Sequence, residues 1–340
     1  MKPKRYIIPI FVPHVGCPND CVFCNQRRIS GRTEPATAET VKTETEKALE
    51  YIPVGADVEI AFYGGSFTAI ESSAQEELLS AAKEYLDAGR VSSIRLSTRP
   101  DCIDDTVIER LKRFGVKTVE LGAQSMCEDV LLAANRGHTA QDVEMASRRI
   151  KSAGLTLILQ MMTGLPADTP EKSMETARKI AALSPDGVRV YPTVIVRDTR
   201  LYDMWQAGAY REHTVEDAVE LCSEIADIFD EAGIPVIRMG LNPTEELSSF
   251  SAVGGAYHPA LGQLVESRRY LKTAIRLIEE KFGDNVPKTL RFIVPKGQTS
   301  TLIGQKKCNA KALESRCGIG KITVTESENC KKIDVSADEI

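Results

Sequence analysis

The sequence predicts an α/β fold built on a parallel β-sheet, followed by a small α+β unit in the C-terminal part of the chain. Apolar, β-branched runs alternate about six times with amphipathic helical patterns between residues 6 and 233, and the connections are short. The helical patterns begin at capping residues and stop at glycine. Parallel strands need helical crossovers, so both a doubly wound sheet and a barrel fit this alternation.

Each element follows from a local pattern. The strands, predicted from apolar and β-branched runs, cover 6–12, 58–63, 93–97, 118–121, 155–161 and 187–196. Helices are predicted over 40–52, 71–88 and 105–114, from Thr139 (a capping box with Asp142) to Gly154, from Thr169-Pro170, and from Thr214 (a box with Asp217) to Gly233. The tail predicts a helix over 258–282, a strand over 288–294, a helix over 310–316 and a strand over 321–325.

Composition narrows the class of protein. The 340 residues carry a net charge of −5, which argues against indiscriminate nucleic-acid binding but allows a local basic patch. No apolar run reaches the length of a membrane span, and the start of the chain lacks the features of a signal peptide. The nine cysteines therefore indicate metal ligation in a reducing compartment, and we expect a cytoplasmic protein without a membrane partner.

The most informative stretch is the cysteine loop after the first strand. Cys17, Cys21 and Cys24 are separated by three and two residues, and Phe23 precedes the last of them. Such a loop can direct three thiolates at one point, and thiolates suit iron–sulfur clusters and zinc. A structural zinc site normally has four protein ligands, and the next cysteine is Cys102. A zinc knuckle and three thiols packed as small hydrophobes are the alternatives.

This cysteine loop resembles the signature of the radical S-adenosylmethionine (SAM) enzymes. The resemblance implies that Cys17, Cys21 and Cys24 hold a 4Fe–4S cluster with one open iron, and that the cluster passes one electron to SAM. SAM then splits into methionine and a 5′-deoxyadenosyl radical that abstracts a hydrogen from the substrate. The resemblance also implies a partial (β/α)6 barrel and an electron donor such as a flavodoxin or ferredoxin.

Polar and glycine-containing motifs follow the predicted strands at their carboxyl ends, where function gathers in both candidate folds. The candidate SAM contacts are Phe23, Gly64, Gly65, Ser66, Arg99, Gln124, Gln160 and Tyr191. The tandem glycines resemble the motif whose backbone holds the SAM amino group, although a plain turn is the better explanation of the two glycines taken alone. Arg99 can meet a carboxylate bidentately, or lie on the surface. His138 is more often structural than catalytic.

Several of these motifs together resemble the radical SAM core of the catalytic subunit of the Elongator complex. The resemblance covers about residues 5 to 267 and includes Thr98–Asp101, Gly122–Ser125, Asn135–Thr139, Met161-Met162 with Leu165-Pro166, and Leu201-Tyr202 with Trp205. That family carboxymethylates the wobble uridine of tRNA with acetyl-CoA, which a separate acetyltransferase domain handles. In this chain the cysteine loop is compact and no acetyltransferase domain is expected after the core, so the acetyl-CoA step does not carry over.

The tail is basic. Residues 286–332 contain ten basic and three acidic residues, a net charge of +7. Their order of strand, glycine loop, helix and strand is similar to a KH module, whose loop clamps nucleotide backbone, although Lys307 stands where the second loop glycine is expected. Lys306, Lys307 and Lys311 are the predicted RNA contacts, with a solvated charged face as the alternative. The cysteines Cys308, Cys317 and Cys330 are expected to be ordinary thiols.

These observations predict three parts and one favoured function. The parts are a radical SAM partial barrel (1–240), a helical extension (241–285) and a small basic KH-like domain (286–340). The favoured function is a radical SAM enzyme that modifies RNA, with tRNA as the expected substrate. The alternatives are a radical SAM enzyme acting on a small molecule such as a tetrapyrrole precursor, and a non-catalytic, metal-bearing RNA-binding protein.

Overall fold

The structure, a computed structural model, describes residues 5–12, 19–24, 35–241 and 252–337. The chain divides into two compact units. The larger unit comprises Met1–Thr214 and Ile228–Tyr257, and the smaller comprises Val215–Asp227 and His258–Ile340.

The described part of the larger unit contains nine strands. They are β1 (Arg5–Val12), β2 (Asp57–Gly64), β3 (Ser93–Thr98), β4 (Val116–Gln124), β5 (Thr156–Thr163), β6 (Gly187–Pro192), β7 (Val194–Val196), β8 (Val236–Met239) and β9 (Ala252–Gly255). Seven of them form one sheet in the order β1-β2-β3-β4-β5-β6-β8, and every neighbouring pair is parallel. This sheet curls into a half-barrel, so the predicted partial barrel is confirmed.

Helices connect these strands. They are α1 (Ala38–Leu49), α2 (Ser72–Asp87), α3 (Asp105–Arg113), α4 (Glu128–Ala133), α5 (Ala140–Ser152), α6 (Pro170–Ala182), α7 (Arg200–Gln206) and α8 (Val215–Glu231). The capping box of Thr139 with Asp142 is confirmed at the start of α5, and Thr169 caps α6 with Pro170 in its first turn. Helices α4 and α7 were not predicted, because they are too short to show a helical period.

The strands form because their apolar residues are buried, as parallel strands covered on both faces require. Ile8, Ile60, Phe62 and Leu96 are each at most 1% exposed. The register pairs Ile8 with Ile60 and Val12 with Gly64, so the ends of β1 and β2 are level. The loops that follow these strands therefore emerge at the same edge of the sheet.

The predicted sixth strand over 187–196 is wrong in one respect, because it is broken at Thr193. Pro192 ends β6, and Thr193 Oγ1 donates to the carbonyl of Thr163 (2.7 Å). β7 then leaves the parallel sheet and pairs antiparallel with β9. A proline lacks the N–H that a central strand needs, which explains the break. The seventh parallel strand, β8, has only four residues and was not predicted.

The smaller unit is an α+β fold, as predicted. It contains α9 (Leu261–Phe282), β10 (Thr289–Pro295), α10 (Thr299–Ile303), α11 (Cys308–Cys317), β11 (Lys321–Ser327) and β12 (Asp334–Ala337). β10 pairs parallel with β11 and antiparallel with β12. Ala274 and Ile278 of α9 pack with Leu290 and Phe292 in one apolar core. Within the described part of the chain, no helix is long and apolar enough to cross a membrane.

Candidate active site

The described half of the cysteine loop is anchored by backbone and side-chain hydrogen bonds. Cys21 is 4% exposed, and Cys24 N donates to the Cys21 carbonyl (3.0 Å) in a tight turn. Val22 N donates to the Ala134 carbonyl (3.1 Å), and the Val22 carbonyl accepts from Leu201 N (2.8 Å). Cys17, the third predicted ligand, lies outside the described residues. Protein hydrogen bonds to Ala134 and Leu201 therefore hold the described part of the loop at Val22.

The segment between α4 and α5 forms the other half of this anchor. Asn135 Nδ2 donates to the Asp20 carbonyl (2.8 Å). Gly137 has a φ of +72°, and a Cβ atom there would overlap the Asn19 carboxamide, so glycine is required at this close approach. Arg136 Nη1 donates to Cys21 Sγ (3.4 Å) and Nη2 to the Gly122 carbonyl (2.9 Å). The motif was predicted, but Arg136 was not among the predicted site residues.

A cavity opens where the cysteine loop meets the carboxyl ends of the strands. It is lined by Cys21, Phe23, Cys24, Gly64, Gly65, Ser66, Ser97, Thr98, Arg99, Gly122, Gln124, Arg136 and Gln160. Seven of the eight predicted SAM contacts thus border one cavity with both described cysteines. The eighth, Tyr191, is not among the lining residues. Four further lining residues were not predicted, although they flank or lie within the predicted motifs: Arg136, Gly122, Ser97 and Thr98.

The first position of the tandem glycine turn requires glycine for a structural reason. Gly64 has a φ of +108°, and a Cβ atom there would lie 2.6 Å from the Val12 carbonyl oxygen. Gly65 N donates to that same oxygen (2.8 Å). The turn therefore lies directly against the end of β1, where the cysteine loop begins, and only glycine permits the approach.

Arg99 makes the bidentate carboxylate contact expected of it, but with its own neighbour. Its Nε and Nη2 atoms donate to the two Asp101 carboxylate oxygens (2.9 Å each). Its backbone N donates to Ser66 Oγ (3.1 Å), and that hydroxyl also pairs with Thr98 Oγ1 (2.9 Å). Arg99 is 2% exposed, whereas the Asp101 side chain is 25% exposed. The backbone hydrogen bond to Ser66 connects the third strand end to the glycine turn.

Gln124 and Gln160 both line the cavity, but their carboxamides differ in hydrogen bonding. Gln160 Nε2 donates to Glu120 Oε2 (2.9 Å), which orients its amide. Gln124 Oε1 is buried and accepts no hydrogen bond from the described residues. Gln124 also has a φ of +64°, a left-handed conformation unfavourable for a residue with a Cβ atom. A buried polar atom and a strained backbone at one position are typical of a ligand site.

Glu120 is the centre of a buried charge network inside the half-barrel. Arg95 Nη1 (2.8 Å), Arg189 Nη2 (3.0 Å) and the Tyr63 hydroxyl (3.1 Å) all donate to it. Arg95 also pairs with Glu59 (2.7 Å). Burial favours the protonated form of Glu120, but the two guanidinium groups outweigh burial and lower its pKa. The network joins strands β2, β3, β4 and β6 and extends to Gln160 at the cavity.

His138 is buried beside the end of β4. It is 5% exposed, and its Nε2 lies 3.1 Å from the Ala123 carbonyl, so Nε2 carries the proton and donates. Burial, with the positive charge of Arg136, lowers its pKa to about 4. The ring is therefore neutral at neutral pH, and it holds the Asn135–Thr139 segment against β4.

The donor set fits the predicted cofactors. Two thiols converge on a cavity that also holds a buried, unpaired amide oxygen on Gln124 and an unpaired Nε on Arg136, as judged among the described residues. Across residues 5–12, 19–24, 35–241 and 252–337, no group of three or more His, Cys, Asp or Glu residues is placed to hold a metal. The cluster would need Cys17 as well. Cys308, Cys317 and Cys330 are free thiols.

Comparison with known proteins supports the same assignment. The radical SAM superfamily model matches residues 11–180, and the radical SAM C-terminal domain model matches residues 185–272. The tRNA uridine(34) acetyltransferase of Methanocaldococcus jannaschii is 26% identical over 268 residues, which cover 65% of this chain and 49% of that protein. Human Elongator complex protein 3 is 34% identical over 135 residues, which cover 39% of this chain and 25% of that protein.

Among solved structures, the archaeal Methanocaldococcus infernus Elp3 with an N-terminal deletion has the same fold. It matches with a TM-score of 0.60 and 22% identity, over 79% of this chain and 63% of that one. This chain spans about half the length of the first curated relative. The superfamily model alone matches half of the chain, and the predicted cofactors are those of its members. The chain therefore belongs to the radical SAM superfamily and is an enzyme whose cofactors are a 4Fe–4S cluster and S-adenosylmethionine.

Proposed function

We propose that this enzyme cleaves SAM reductively and uses the resulting radical to modify RNA, with tRNA as the substrate. One observation carries the proposal. The two described cluster cysteines, the tandem glycines and Gln124 line a single cavity at the carboxyl ends of the parallel strands. The names of the relatives, a tRNA uridine(34) acetyltransferase and Elongator complex protein 3, support tRNA as the substrate class.

Different residues at the cavity are proposed to bind the cluster and SAM. Cys17, Cys21 and Cys24 would hold the cluster, whose chemistry is the one-electron reductive cleavage of SAM to methionine and a 5′-deoxyadenosyl radical. Gly64 and Gly65 offer backbone groups to SAM at a turn fixed against β1. Gln124 Oε1, which is buried without a partner among the described residues, accepts a hydrogen bond from SAM. Phe23 and Gln160 complete the wall of the cavity.

Arg99 and Ser66 shape this site more than they contact its ligand. Their hydrogen bonds, together with the Arg99–Asp101 ion pair, connect the glycine turn to the third strand end. Tyr191 is proposed only as a more distant part of the site, since it does not line the cavity. The electron donor, such as a flavodoxin or ferredoxin, and the cytoplasmic location stay predictions.

RNA binding is proposed for the smaller unit. Lys306, Lys307 and Lys311 are exposed, and no carboxylate of the described residues pairs with them. Lys296, in contrast, pairs with Glu328 (2.7 Å). Unpaired lysines at a loop can bind phosphates without first breaking an ion pair. The order of β10, α10, the Gly304 loop, α11 and β11 is similar to that of a KH module, whose loop contacts the nucleotide backbone, and this similarity supports the proposal.

The decisive experiment is anaerobic incubation of the reconstituted protein with a reductant, SAM and bulk tRNA, followed by mass spectrometry of the nucleosides. We expect 5′-deoxyadenosine and a modified nucleoside, and parallel reactions with and without acetyl-CoA show whether that co-substrate is used. The matched control is Cys24→Ala, which should yield neither product. 5′-Deoxyadenosine with no change in RNA and no RNA binding would favour a small-molecule substrate. Zinc without iron would favour the non-catalytic alternative.

A further inference from the structure

Arg136 places a buried positive charge beside a cluster ligand. The residue is 8% exposed, and its guanidinium donates from Nη1 to Cys21 Sγ (3.4 Å) and from Nη2 to the Gly122 carbonyl (2.9 Å). Its Nε is buried without a hydrogen-bond partner, and no carboxylate pairs with the group within the described ranges of the chain. Of the two acceptors that these hydrogen bonds reach, only the sulfur of Cys21 becomes anionic when it binds a metal.

Such a charge is unfavourable unless an anion compensates for it. Arginine stays protonated in proteins, and a buried guanidinium without a counter-charge costs several kcal/mol. A thiolate bound to iron supplies that counter-charge, and its sulfur accepts the Nη1 hydrogen bond. Hydrogen bonds to the ligand sulfurs and nearby charge are among the factors that set the reduction potential of iron–sulfur clusters. Reduction adds one negative charge, so a neighbouring cation favours the reduced state.

We propose that Arg136 is a positioning residue that raises the reduction potential of the cluster through its hydrogen bond to the Cys21 sulfur. The inference rests on the proposed ligation of the cluster by Cys21 and goes beyond it, because it assigns control of electron uptake to a residue that is not a ligand. The electron itself comes from an external one-electron donor.

The fold holds Arg136 in this position from both sides. Asn135 before it bonds to the Asp20 carbonyl, and Gly137 after it packs on Asn19. His138 is bonded to the Ala123 carbonyl (3.1 Å). A Cβ atom on Gly122 would lie 2.9 Å from Arg136 Nη2, so the absence of a side chain at Gly122 makes room for the guanidinium. These contacts leave the arginine little freedom to turn away from Cys21.

The test is a potentiometric titration of the reconstituted holoenzyme without SAM or RNA, monitored by electron paramagnetic resonance. Arg136→Gln keeps a donor but removes the charge, and Arg136→Lys keeps the charge. For Arg136→Gln we expect a tenfold smaller equilibrium constant for reduction, which for a one-electron couple is a midpoint potential about 59 mV more negative. Arg136→Lys should shift it less. Arg110→Gln is the matched control, because the largely buried Arg110 guanidinium does not line the cavity and pairs with Glu76 (3.4 Å), so this variant should leave the potential nearly unchanged.

Iron content is measured for every variant, so that the inference can fail separately from the proposed function. Wild-type protein without a cluster would contradict the ligation by Cys21. A normal cluster with an unchanged potential in Arg136→Gln would overturn the inference while leaving the proposed function intact. Loss of the cluster in both Arg136 variants would also overturn it, because Arg136 would then serve only to hold the loop together.

Discussion

At the scale of single residues, Gln124 shows most clearly how the site departs from ordinary packing. Its φ of +64° and its buried, unpaired Oε1 atom each carry a cost in the described structure. A non-glycine residue in the left-handed region costs roughly 1–2 kcal/mol, and a buried unsatisfied acceptor costs about 1–3 kcal/mol. Both costs are expected where a side chain is preorganised for a ligand.

Replacing Gln124 separates the backbone cost from the side-chain function. Gln124→Ala and Gln124→Gly both remove the carboxamide, so each should weaken SAM binding by about tenfold, as expected for one lost hydrogen bond of about 1.4 kcal/mol. Glycine tolerates the left-handed conformation, so the free energy of unfolding should be about 1 kcal/mol higher for Gln124→Gly than for Gln124→Ala. Calorimetric titration with SAM and urea denaturation measure the two effects. Unchanged SAM affinity in both variants would remove Gln124 from the site.

The cluster ligands make a second prediction at this scale. Cys21→Ala and Cys24→Ala, like Cys17→Ala, should each abolish the cluster absorbance after anaerobic reconstitution, since three thiolates are needed to hold it. Cys127→Ala is the control, because Cys127 is a buried thiol that does not line the cavity and is packed near Thr176. Iron and zinc analysis provides the measurement. Stoichiometric zinc with no iron in the wild-type protein would contradict the assignment.

At the scale of elements, the Asn135–Thr139 segment links the cysteine loop to β4, and His138 makes its stability depend on pH. The pKa of His138 is about 4 when folded, against an ordinary value of about 6.5. Between these values the unfolded chain binds a proton more readily than the folded protein. The contribution of His138 to stability is therefore complete above pH 6.5 and is lost as the pH falls toward 4.

His138→Gln should reduce this pH dependence. A glutamine can still donate to the Ala123 carbonyl but does not titrate. Across the interval from pH 6.5 to 4 we expect the free energy of unfolding to fall by about 2–3 kcal/mol more in the wild type than in the variant. Urea denaturation at several pH values checks this difference. Parallel pH profiles for the two proteins would show that His138 titrates normally in the fold.

The loop before α11 is the second element that matters, because its backbone conformation favours glycine at the position that Lys307 occupies. Lys306 and Lys307 have φ values of +53° and +62°, so both occupy the left-handed region that glycine favours. Gly304 has a φ of +77°, and a Cβ atom there would lie 2.6 Å from Cys308 Sγ. Lys307 thus adopts a glycine-like backbone while adding a charge at the position where a KH loop has its second glycine.

Charge reversal in this loop should weaken tRNA binding. Lys306→Glu combined with Lys307→Glu removes the two proposed phosphate contacts, so affinity should fall strongly and the slope of log affinity against log salt should lessen by about 2. The matched control reverses Lys331 and Lys332, which are also exposed and adjacent but lie after β11. Cluster content and SAM cleavage without RNA should stay the same in both variants. If the wild type does not bind tRNA at low salt, the RNA proposal fails.

At the scale of the whole molecule, the buried charge network makes the half-barrel interior a connected unit. Glu120 is fully buried and accepts hydrogen bonds from Arg95, Arg189, Tyr63 and Gln160. Removing one member of a buried network leaves the opposite charges uncompensated, whereas an exposed pair contributes little. The network therefore supports both the sheet and the wall of the cavity that Gln160 forms.

Removal of Glu120 tests this role. Glu120→Ala should lower the free energy of unfolding by about 3–5 kcal/mol, because two buried guanidinium groups lose their partner. Asp87→Ala, which removes the exposed partner of Lys83 (2.6 Å), should cost less than about 1 kcal/mol. Urea denaturation of both variants gives the comparison. A loss below 1 kcal/mol for Glu120→Ala would mean that water or rearranged side chains compensate the network.

The sequence by itself determined what depends on neighbouring residues. The alternation of strands and helices, the caps at Thr139 and Thr169, and the glycine stops follow from local periodicity and backbone preference, so the α/β class was predictable. The cysteine spacing and the tandem glycines indicated the site, because each of these motifs occupies only a few consecutive residues and can be recognised without the fold. The family was predictable for the same reason, since its motifs are short and contiguous.

Only the tertiary structure decided which distant groups meet. Arg136 reaches Cys21 across 115 residues, and Glu120 gathers partners from four strands. The antiparallel pairing of β7 with β9 was equally invisible in local pattern. Such contacts depend on how strands are placed side by side and on what remains buried between them. Periodicity reports which face of an element is apolar, but it does not report which charge lies opposite.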